Sequence, residues 1–307
     1  MKNKKTKNLK TIYNTFNEDY DIPIKTPHLK TNSRKKRIKK KRTLKLWVLI
    51  LLFLIFLTII IISSLKILNW HEDNKKTKDV INDVDTDYQE VEDNRNTEYV
   101  NEPEDPQDDY FYFINFPLIN VDFNKLIKKN ADTIAWLNVN NTNINYPVVQ
   151  TTDNDYYLTH SFDKKINEAG WVFMDYRNNK NFENKNTIIY AHSRLNKTMF
   201  GSLSKVLKES WYNNKDNHII RVSTPTENSS WQIFSVYKIK AETYYITTDF
   251  NNNTEYETFL NTIKNRSKHN FNTSITTNDK ILTLSTCYSD TERTVVHAKL
   301  IKREKRQ

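Results

Sequence analysis

The chain of 307 residues contains a single cysteine, Cys287, in the stretch TLSTCYSDTERTVVHAKL (283–300). Side chains alternate between the two faces of a β-strand, so Thr283, Ser285 and Cys287 share the more polar face of an apolar run that ends at the cysteine. A cysteine at a strand end can act as a nucleophile when a neighbouring base or cation stabilises its thiolate. The alternative is a small, inert side chain packed in the core, which is common for a free cysteine.

Three residues are candidates to assist such a thiolate. Arg293 opens the next apolar-alternating run, and its guanidinium could stabilise a tetrahedral oxyanion or hold a substrate carbonyl, unless it is an ordinary surface arginine. His192 follows the apolar run TIIYA, at a strand end of the kind that often displays functional groups. His297 lies in the same run as Arg293, where a cross-strand contact or a place in the core would also explain it. These residues favour His192 as the base and leave both histidines open.

The composition excludes other kinds of site. One cysteine cannot form an intramolecular disulfide or a multi-cysteine metal site. The 7 histidines show no H-x-x-x-H spacing or similar pair that would indicate zinc. We therefore expect no metal site.

The basic residues are concentrated before an apolar segment. Residues 1–45 contain 16 Lys/Arg against 3 Asp/Glu, a net charge of +13. Residues 46–65, LWVLILLFLIFLTIIIISSL, carry no charge, and 20 residues at about 1.5 Å each span a bilayer core of about 30 Å. The positive-inside rule then keeps residues 1–45 in the cytoplasm and the rest of the chain outside. This pattern predicts a single-pass membrane protein and argues against a nucleic-acid partner.

A spacer is predicted between the membrane and the folded part. Residues 66–109 are assigned to it, and within them 71–109 hold 4 Lys/Arg against 15 Asp/Glu with almost no large apolar residue. Such a segment buries too little surface to offset its ordering entropy, which indicates a flexible extracellular linker. The catalytic domain is predicted to occupy residues 110–307.

Within that domain the pattern is mainly β with peripheral helices. Short β-rich runs separated by Asn/Asp/Ser-rich turns lie at 143–150, 170–177, 186–192, 218–224, 231–242, 280–287 and 293–301. Helical periodicity predicts helices at 121–137 and at 254–265, the second with Thr254 and Glu257 at capping-box spacing. Seven or eight strands suggest a closed or nearly closed β-barrel.

The motifs resemble those of class B sortases. TLSTC followed by RTVVHAKL is similar to the active-site region of that family. Three further blocks resemble class B sequence in the family's order: NYPVVQTTDNDYYLTHSFD (145–163), GWVFMDYRN (170–178) and IIYAHSRLNKTMFGSL (188–203). The resemblance covers most of 121–301 and implies a sortase-type eight-stranded β-barrel preceded by a single N-terminal transmembrane helix.

The resemblance also implies roles for individual residues. Cys287 corresponds to the nucleophile, His192 to the general acid/base of the Y-x-H motif, and Arg293 to the residue that stabilises the oxyanion or positions the substrate. It further implies substrate-binding positions, namely Ser285, Tyr245 and Ile246.

The implied activity is transpeptidation on the cell surface, which requires no metal and no organic cofactor. Cys287 would attack after Thr in the C-terminal sorting motif of a secreted protein, and an amine of cell-wall peptidoglycan or its lipid-linked precursor would resolve the thioacyl enzyme. Two alternatives stay open: an extracellular cysteine peptidase or hydrolase of cell-wall peptides, in which water resolves the acyl enzyme, and a catalytically inactive wall-assembly module.

Overall fold

The computed structural model describes residues 45–84, 88–287 and 292–306, with Cys287 described by its backbone alone. The predicted cytoplasmic tail, apart from Lys45, and residues 288–291 therefore lie outside the described residues. All contacts given below lie within Thr58–Gln307.

The described residues form 11 strands and 5 α-helices. The strands are β1 (Gln89–Val91), β2 (Thr97–Tyr99), β3 (Leu118–Asn120), β4 (Thr133–Val139), β5 (Asn145–Val149), β6 (Phe173–Met174), β7 (Asn186–His192), β8 (Ile219–Ser223), β9 (Glu227–Lys240), β10 (Ile281–Cys287) and β11 (Glu292–Lys305). The helices are α1 (Leu46–Val84), α2 (Tyr110–Phe113), α3 (Phe123–Lys129), α4 (Glu209–Tyr212) and α5 (Asn253–Asn265). Short 3-10 turns lie at Tyr156–Leu158, Phe200–Leu207, Lys215–Asn217 and Tyr244–Ile246.

Eight of these strands close into one barrel. Neighbouring strands follow the order β10-β7-β6-β5-β4-β8-β9-β11, and pairing of β10 with β11 joins the two ends. Three tryptophans, Trp136, Trp171 and Trp231, are buried in its interior. β2 adds to the sheet beside β11, and β1 pairs with β3. The prediction of a mainly β, eight-stranded barrel is confirmed.

Strand β10 is buried on both of its faces. Leu282 and Leu284 pack in the barrel interior. The opposite face, which includes Ser285, is also buried, because a second apolar cluster formed by α5 and Tyr245 covers the barrel there. The alternation that predicted this strand therefore separates two packed environments rather than core from solvent.

The predicted helix at 121–137 is wrong beyond Lys129. Helix α3 begins after Asp122, whose side chain accepts a hydrogen bond from the backbone N–H of Asn124, and ends at Lys129. Asn130 then turns the chain, its side chain donating to Tyr157 Oη at 2.7 Å and to the Phe162 carbonyl at 2.8 Å. The following residues form β4, which is buried along almost its whole length and so shows no alternation to reveal it.

The second predicted helix is confirmed as α5. Its cap differs in detail, because Asn252, rather than Thr254, accepts the hydrogen bond from the backbone N–H of Glu255. The apolar residues Tyr256, Phe259, Leu260 and Ile263 are buried against the barrel, as their helical spacing requires.

The predicted flexible spacer differs from the structure. Helix α1 continues from the apolar segment to Val84, and both Thr77 and Val84 are buried. β1 and β2 pair with strands of the folded domain, and Asp93 between them forms an ion pair of 2.7 Å with the buried Lys302. Few apolar residues are needed here, since the barrel provides the packing surface, and the packed part of the chain begins well before residue 110.

The apolar part of α1 has the length and composition to cross a membrane. Its most apolar window has a mean hydropathy of 3.2 and is 0% buried. A helix of this kind agrees with the predicted span at 46–65, and the span itself stays a prediction.

Candidate active site

The ends of two parallel strands bring the predicted nucleophile and base together. β10 and β7 pair in parallel from Ile281 opposite Asn186 to Cys287 opposite His192. β7 ends at His192 and β10 ends at Cys287. Because nearly a hundred residues separate these strands in sequence, only the barrel makes Cys287 and His192 neighbours.

Arg293 enters from the other side of β10. Strand β11 runs antiparallel to β10, with Ser285 opposite Val295, and the backbone N–H of Thr294 donates to Thr286 Oγ1 at 2.9 Å. The described pairing of these strands ends at Ser285 and Val295, and Arg293 lies two residues beyond Val295, towards the end of β10 that carries Cys287. His192 and Arg293 thus lie on the two strands that neighbour this end of β10.

The imidazole of His192 is oriented by a hydrogen bond to a backbone carbonyl. Its Nε2 lies 2.8 Å from the carbonyl oxygen of Leu158. A carbonyl oxygen can only accept, so Nε2 donates the proton in this hydrogen bond. Gly170 adopts φ +58°, and a Cβ there would lie 2.4 Å from the Tyr157 carbonyl oxygen and 3.1 Å from His192 Cδ2. Only glycine allows this loop to close on the ring.

A cleft of about 200 Å³ lies beside these strand ends. It is lined by Asn154, Phe173, Tyr190, Ala241, Glu242, Tyr245, Ile246, Ser285 and Arg293. All three predicted substrate-binding residues and Arg293 therefore share one cleft. The oxygens of Ser285 and Tyr245 lie 3.1 Å apart, which joins β10 to the wall of the cleft.

Sequence reasoning missed the aromatic and amide residues of this cleft. Phe173, Tyr190 and Asn154 lie in the quoted motifs, but no spacing or charge pattern set them apart as lining residues. Their rings and amide come together only because β5, β6 and β7 are neighbours in the barrel.

An ion pair between an exposed arginine and a buried carboxylate contacts the cleft wall that carries Ile246. Arg177 makes a two-pronged contact with Asp175, Nε to Oδ1 at 2.9 Å and Nη2 to Oδ2 at 2.7 Å. The same Nη2 donates to the backbone carbonyl of Ile246 at 3.0 Å, and Tyr190 Oη donates to Asp175 Oδ2 at 3.0 Å. Burial raises the pKa of the Asp175 carboxyl, but the hydrogen bonds and charge of Arg177 outweigh it and leave this pKa below its usual range.

The other candidate base, His297, is a core residue. It is fully buried, its Nε2 lies 2.8 Å from Tyr237 Oη, and its Nδ1 lies 2.8 Å from Thr283 Oγ1. Burial, together with the positive charge of Arg266, lowers its pKa to about 3, so the ring is neutral near pH 7. In register it lies opposite Thr283, four residues from the end of β10.

Within residues 45–84, 88–287 and 292–306, no group of three or more His, Cys, Asp or Glu side chains is arranged to hold a metal ion.

Comparison with known proteins identifies the family. A sortase-domain family model matches residues 137–301. The curated Sortase B of Staphylococcus aureus (strain NCTC 8325 / PS 47) is 40% identical over 184 residues, which cover 59% of this chain and 75% of the relative.

Solved structures agree with this match. A sortase B complexed with triglycine aligns with a TM-score of 0.56 at 38% identity over 59% of this chain and 85% of its own. Sortase B from B. anthracis in complex with AAEK1 aligns with a TM-score of 0.60 at 33% identity over 77% of this chain and 99% of its own. The chain, with its closed barrel and its cysteine and histidine on paired strand ends, belongs to the sortase family of cysteine transpeptidases, in class B.

Proposed function

We propose that this sortase is anchored in the membrane, cleaves a sorting motif of secreted proteins after Thr, and joins them to an amine of the cell wall. The observation that carries the catalytic assignment is the register of the strand ends, which aligns Cys287 with His192 and brings Arg293 to the other side of β10. The three residues are assigned as nucleophile, general acid/base and oxyanion-stabilising residue.

The first half of the reaction breaks the peptide bond. The thiolate of Cys287 attacks the carbonyl carbon of the substrate Thr, and the carbonyl oxygen takes up the negative charge beside the Arg293 guanidinium. His192 donates a proton to the departing amine, so that the C–N bond breaks and a thioester to Cys287 remains. The cleft formed with Ser285, Tyr245 and Ile246 supplies the walls for the substrate's side chains.

The second half transfers the acyl group. His192, now neutral, takes a proton from the incoming amine, which attacks the thioester carbonyl and expels the Cys287 thiolate. The solved complex of a sortase B with triglycine supports an amine acceptor, and we assign that role to peptidoglycan or its lipid-linked precursor.

The N-terminal region supports attachment to the membrane. Residues 1–45 carry a net charge of +13 before the apolar part of α1, and a positive flank of this kind favours the cytoplasmic side. The barrel then lies outside the cell, where sorting signals of secreted proteins and wall precursors are available.

The test uses the full chain in detergent micelles with a fluorogenic library of Thr-containing peptides, with and without triglycine as the amine. We expect cleavage after Thr and, by mass spectrometry, a product in which Thr is joined to triglycine, both lost in Cys287→Ala. Cleavage with no ligation product at any triglycine concentration would establish the hydrolase instead. A full-length chain that never forms a thioacyl adduct on Cys287 would contradict the proposal and favour an inactive wall-assembly module.

A further inference from the structure

Two loops adjoin His192, one through a hydrogen bond to its imidazole and one by following it directly in sequence, and both contact the same part of α1. One loop, residues 158–170, supplies the Leu158 carbonyl and the backbone of Gly170. The other, residues 193–199, directly follows His192 at the end of β7. The residues of α1 that touch them, Asn74 and Thr77, are three positions apart and so lie on one face of the helix.

Thr77 is joined to the first loop through Asn167. The Asn167 Nδ2 donates to Thr77 Oγ1 at 3.1 Å, and Thr77 Oγ1 donates to the Asp73 carbonyl at 2.7 Å. Both side chains are almost completely buried, at 1% and 2% exposure. Asn167 in turn accepts from the backbone of Ala169 at 2.8 Å and of Gly170 at 3.0 Å. Two hydrogen bonds, from Asn167 to Thr77 and from the Gly170 N–H to the Asn167 carbonyl, thus connect the helix to the glycine next to the His192 ring.

Asn74 is joined to the second loop. Its Oδ1 accepts from Arg194 Nη2 at 2.7 Å and from Asn196 Nδ2 at 2.9 Å. The backbone of Arg194 packs closely against Gly201, where a Cβ would lie only 2.1 Å from the Arg194 carbonyl oxygen. The amide of Asn74 therefore joins α1 to a loop whose first residue follows His192.

We propose that Asn74 and Thr77 are positioning residues for His192, so that the segment of α1 beyond the apolar stretch is part of the catalytic apparatus. The inference rests on the proposed role of His192 as the acid/base. Buried hydrogen bonds fix loop geometry more than they add stability, whereas a displacement of about 1 Å at a proton-transfer group can cost on the order of a hundredfold in rate. The contacts are therefore expected to matter for turnover more than for substrate binding.

The variants remove the contacts and then restore them. Asn74→Leu deletes the acceptor for Arg194 and Asn196, and Thr77→Val deletes the hydroxyl while keeping the shape. Asn74→Asp keeps an acceptor oxygen and Thr77→Ser keeps the hydroxyl, so both should restore activity. Asn82→Leu, at an exposed position of the same helix, is the matched control.

The full chain in detergent micelles is assayed with the Thr-containing peptide and triglycine. We expect kcat to fall about tenfold in Asn74→Leu and in Thr77→Val, with KM for the peptide within about twofold and a shifted pH profile of kcat. Alkylation of the only cysteine counts intact sites and corrects for any unfolded fraction. Values of kcat within about twofold of the wild type, or a loss that follows the unfolded fraction with an unchanged pH profile, would overturn the proposal.

A second measurement does not depend on turnover. With ¹³C-labelled histidine, the His192 Cε1–H resonance, assigned with His192→Gln, is titrated in the wild type and the variants. We expect Asn74→Leu and Thr77→Val to shift this resonance or its titration midpoint, and Asn82→Leu to leave both unchanged. If wild-type enzyme ligates nothing yet the resonance shifts, the proposed function fails and the positioning role stands; an unmoved resonance refutes the positioning role.

Discussion

His192 and His297 flank β10 from its two neighbouring strands, at different positions along it. His192 lies opposite Cys287 and His297 opposite Thr283, so the two histidines are separated by about 13 Å along the strand direction at about 3.3 Å per residue. His297 is neutral, fully buried and already bonded at both ring nitrogens. The positions therefore favour His192 for proton transfer and a packing role for His297.

Replacing the two histidines separates these roles. We expect His192→Gln to lower kcat by about 10²- to 10⁴-fold, the usual loss for a general acid/base, because glutamine cannot exchange a proton. His297→Gln, which can still hydrogen-bond to Tyr237 and Thr283, should keep kcat within a few-fold. Steady-state ligation assays of the two variants measure this difference. The reverse pattern would show that the base has been assigned to the wrong histidine.

The buried state of His297 also predicts how stability depends on pH. Its pKa is about 3 in the folded protein and 6.5 in the unfolded chain. The unfolded chain therefore takes up a proton first, so stability present above pH 6.5 is lost as the pH falls towards 3. At about pH 5 the loss from this group is about 2 kcal/mol.

Urea unfolding at about pH 7.5 and about pH 5 measures this loss. His297→Gln does not titrate, so its free energy of unfolding should fall by about 2 kcal/mol less than that of the wild type between the two pH values. An equal decrease in both proteins would contradict a buried neutral histidine.

Arg293 differs from a simple positive charge in its shape. A guanidinium presents a planar fork of donors, whereas the ammonium of lysine is a point charge on a flexible stem. We therefore expect Arg293→Lys to lower kcat at least about tenfold, since loss of one oxyanion donor commonly costs more than that. Single-turnover acylation of Cys287 by the Thr-containing peptide isolates the step concerned. Wild-type acylation rates in Arg293→Lys would remove Arg293 from oxyanion stabilisation.

At the level of secondary structure, the position of the turn Tyr244–Ile246 depends on hydrogen bonds from side chains outside it. Arg177 reaches its last carbonyl while it is held by Asp175, and Asn186 Nδ2 donates to the carbonyl of Thr247 at 2.8 Å. The cleft wall is thus positioned in part by β7 and by the segment that follows β6.

Replacing the guanidinium of Arg177 by the ammonium of lysine should affect substrate binding more than the chemical step. We expect Arg177→Lys to keep a charge beside Asp175 but to lose the contact with Ile246, and so to raise KM for the peptide several-fold with kcat within about twofold. Arg303→Lys is the control, because it makes the same change at a partly exposed arginine whose Nε forms an ion pair with Glu98. A fall in kcat with unchanged KM in Arg177→Lys would show that the turn acts on the chemistry rather than on binding.

The sequence predicts strands and helices best where apolar residues recur at a regular spacing. Each of the seven β-rich runs overlaps one strand, and the apolar spacing of α5 predicts that helix. β4 escapes prediction because burial on both faces removes the alternation. The terminal strands β1 and β2 escape it because their stability comes from the edges they pair with, which a local pattern does not contain.

The candidate active site is harder to predict than the fold when only the residue pattern is used. Local pattern marks Cys287, Arg293 and two histidines, but the choice between His192 and His297 depends on the parallel pairing of β7 and β10, which joins segments far apart in sequence. The family resemblance supplies that information, and with it Ser285, Tyr245 and Ile246. No sequence motif marks Asn74 and Thr77 as packed residues, because both lie in an acidic segment whose composition indicates no packed structure.

At the scale of the whole molecule, the packed part of the chain begins before the region that matches the sortase family model. The sortase-domain match begins at residue 137, yet Val84 packs in the main core and the buried Lys302 amine binds Asp93 as well as the carbonyls of Ile114 and Phe116. Residues 66–109 therefore complete the packing of β11 and of the barrel flank.

Removing this segment should destabilise the barrel. A chain that begins at Lys66 keeps all these contacts, whereas one that begins at Tyr110 loses the burial of Val84, worth about 1.5–3 kcal/mol, and leaves the Lys302 charge buried without its carboxylate partner, which adds a further cost. We expect the shorter chain to unfold with a free energy at least about 3 kcal/mol lower, measured by urea titration near neutral pH. Asp93→Asn in the longer chain, which keeps Val84 buried, should reproduce part of the loss. Equal stability of the two chains would mean that residues 66–109 are a spacer after all.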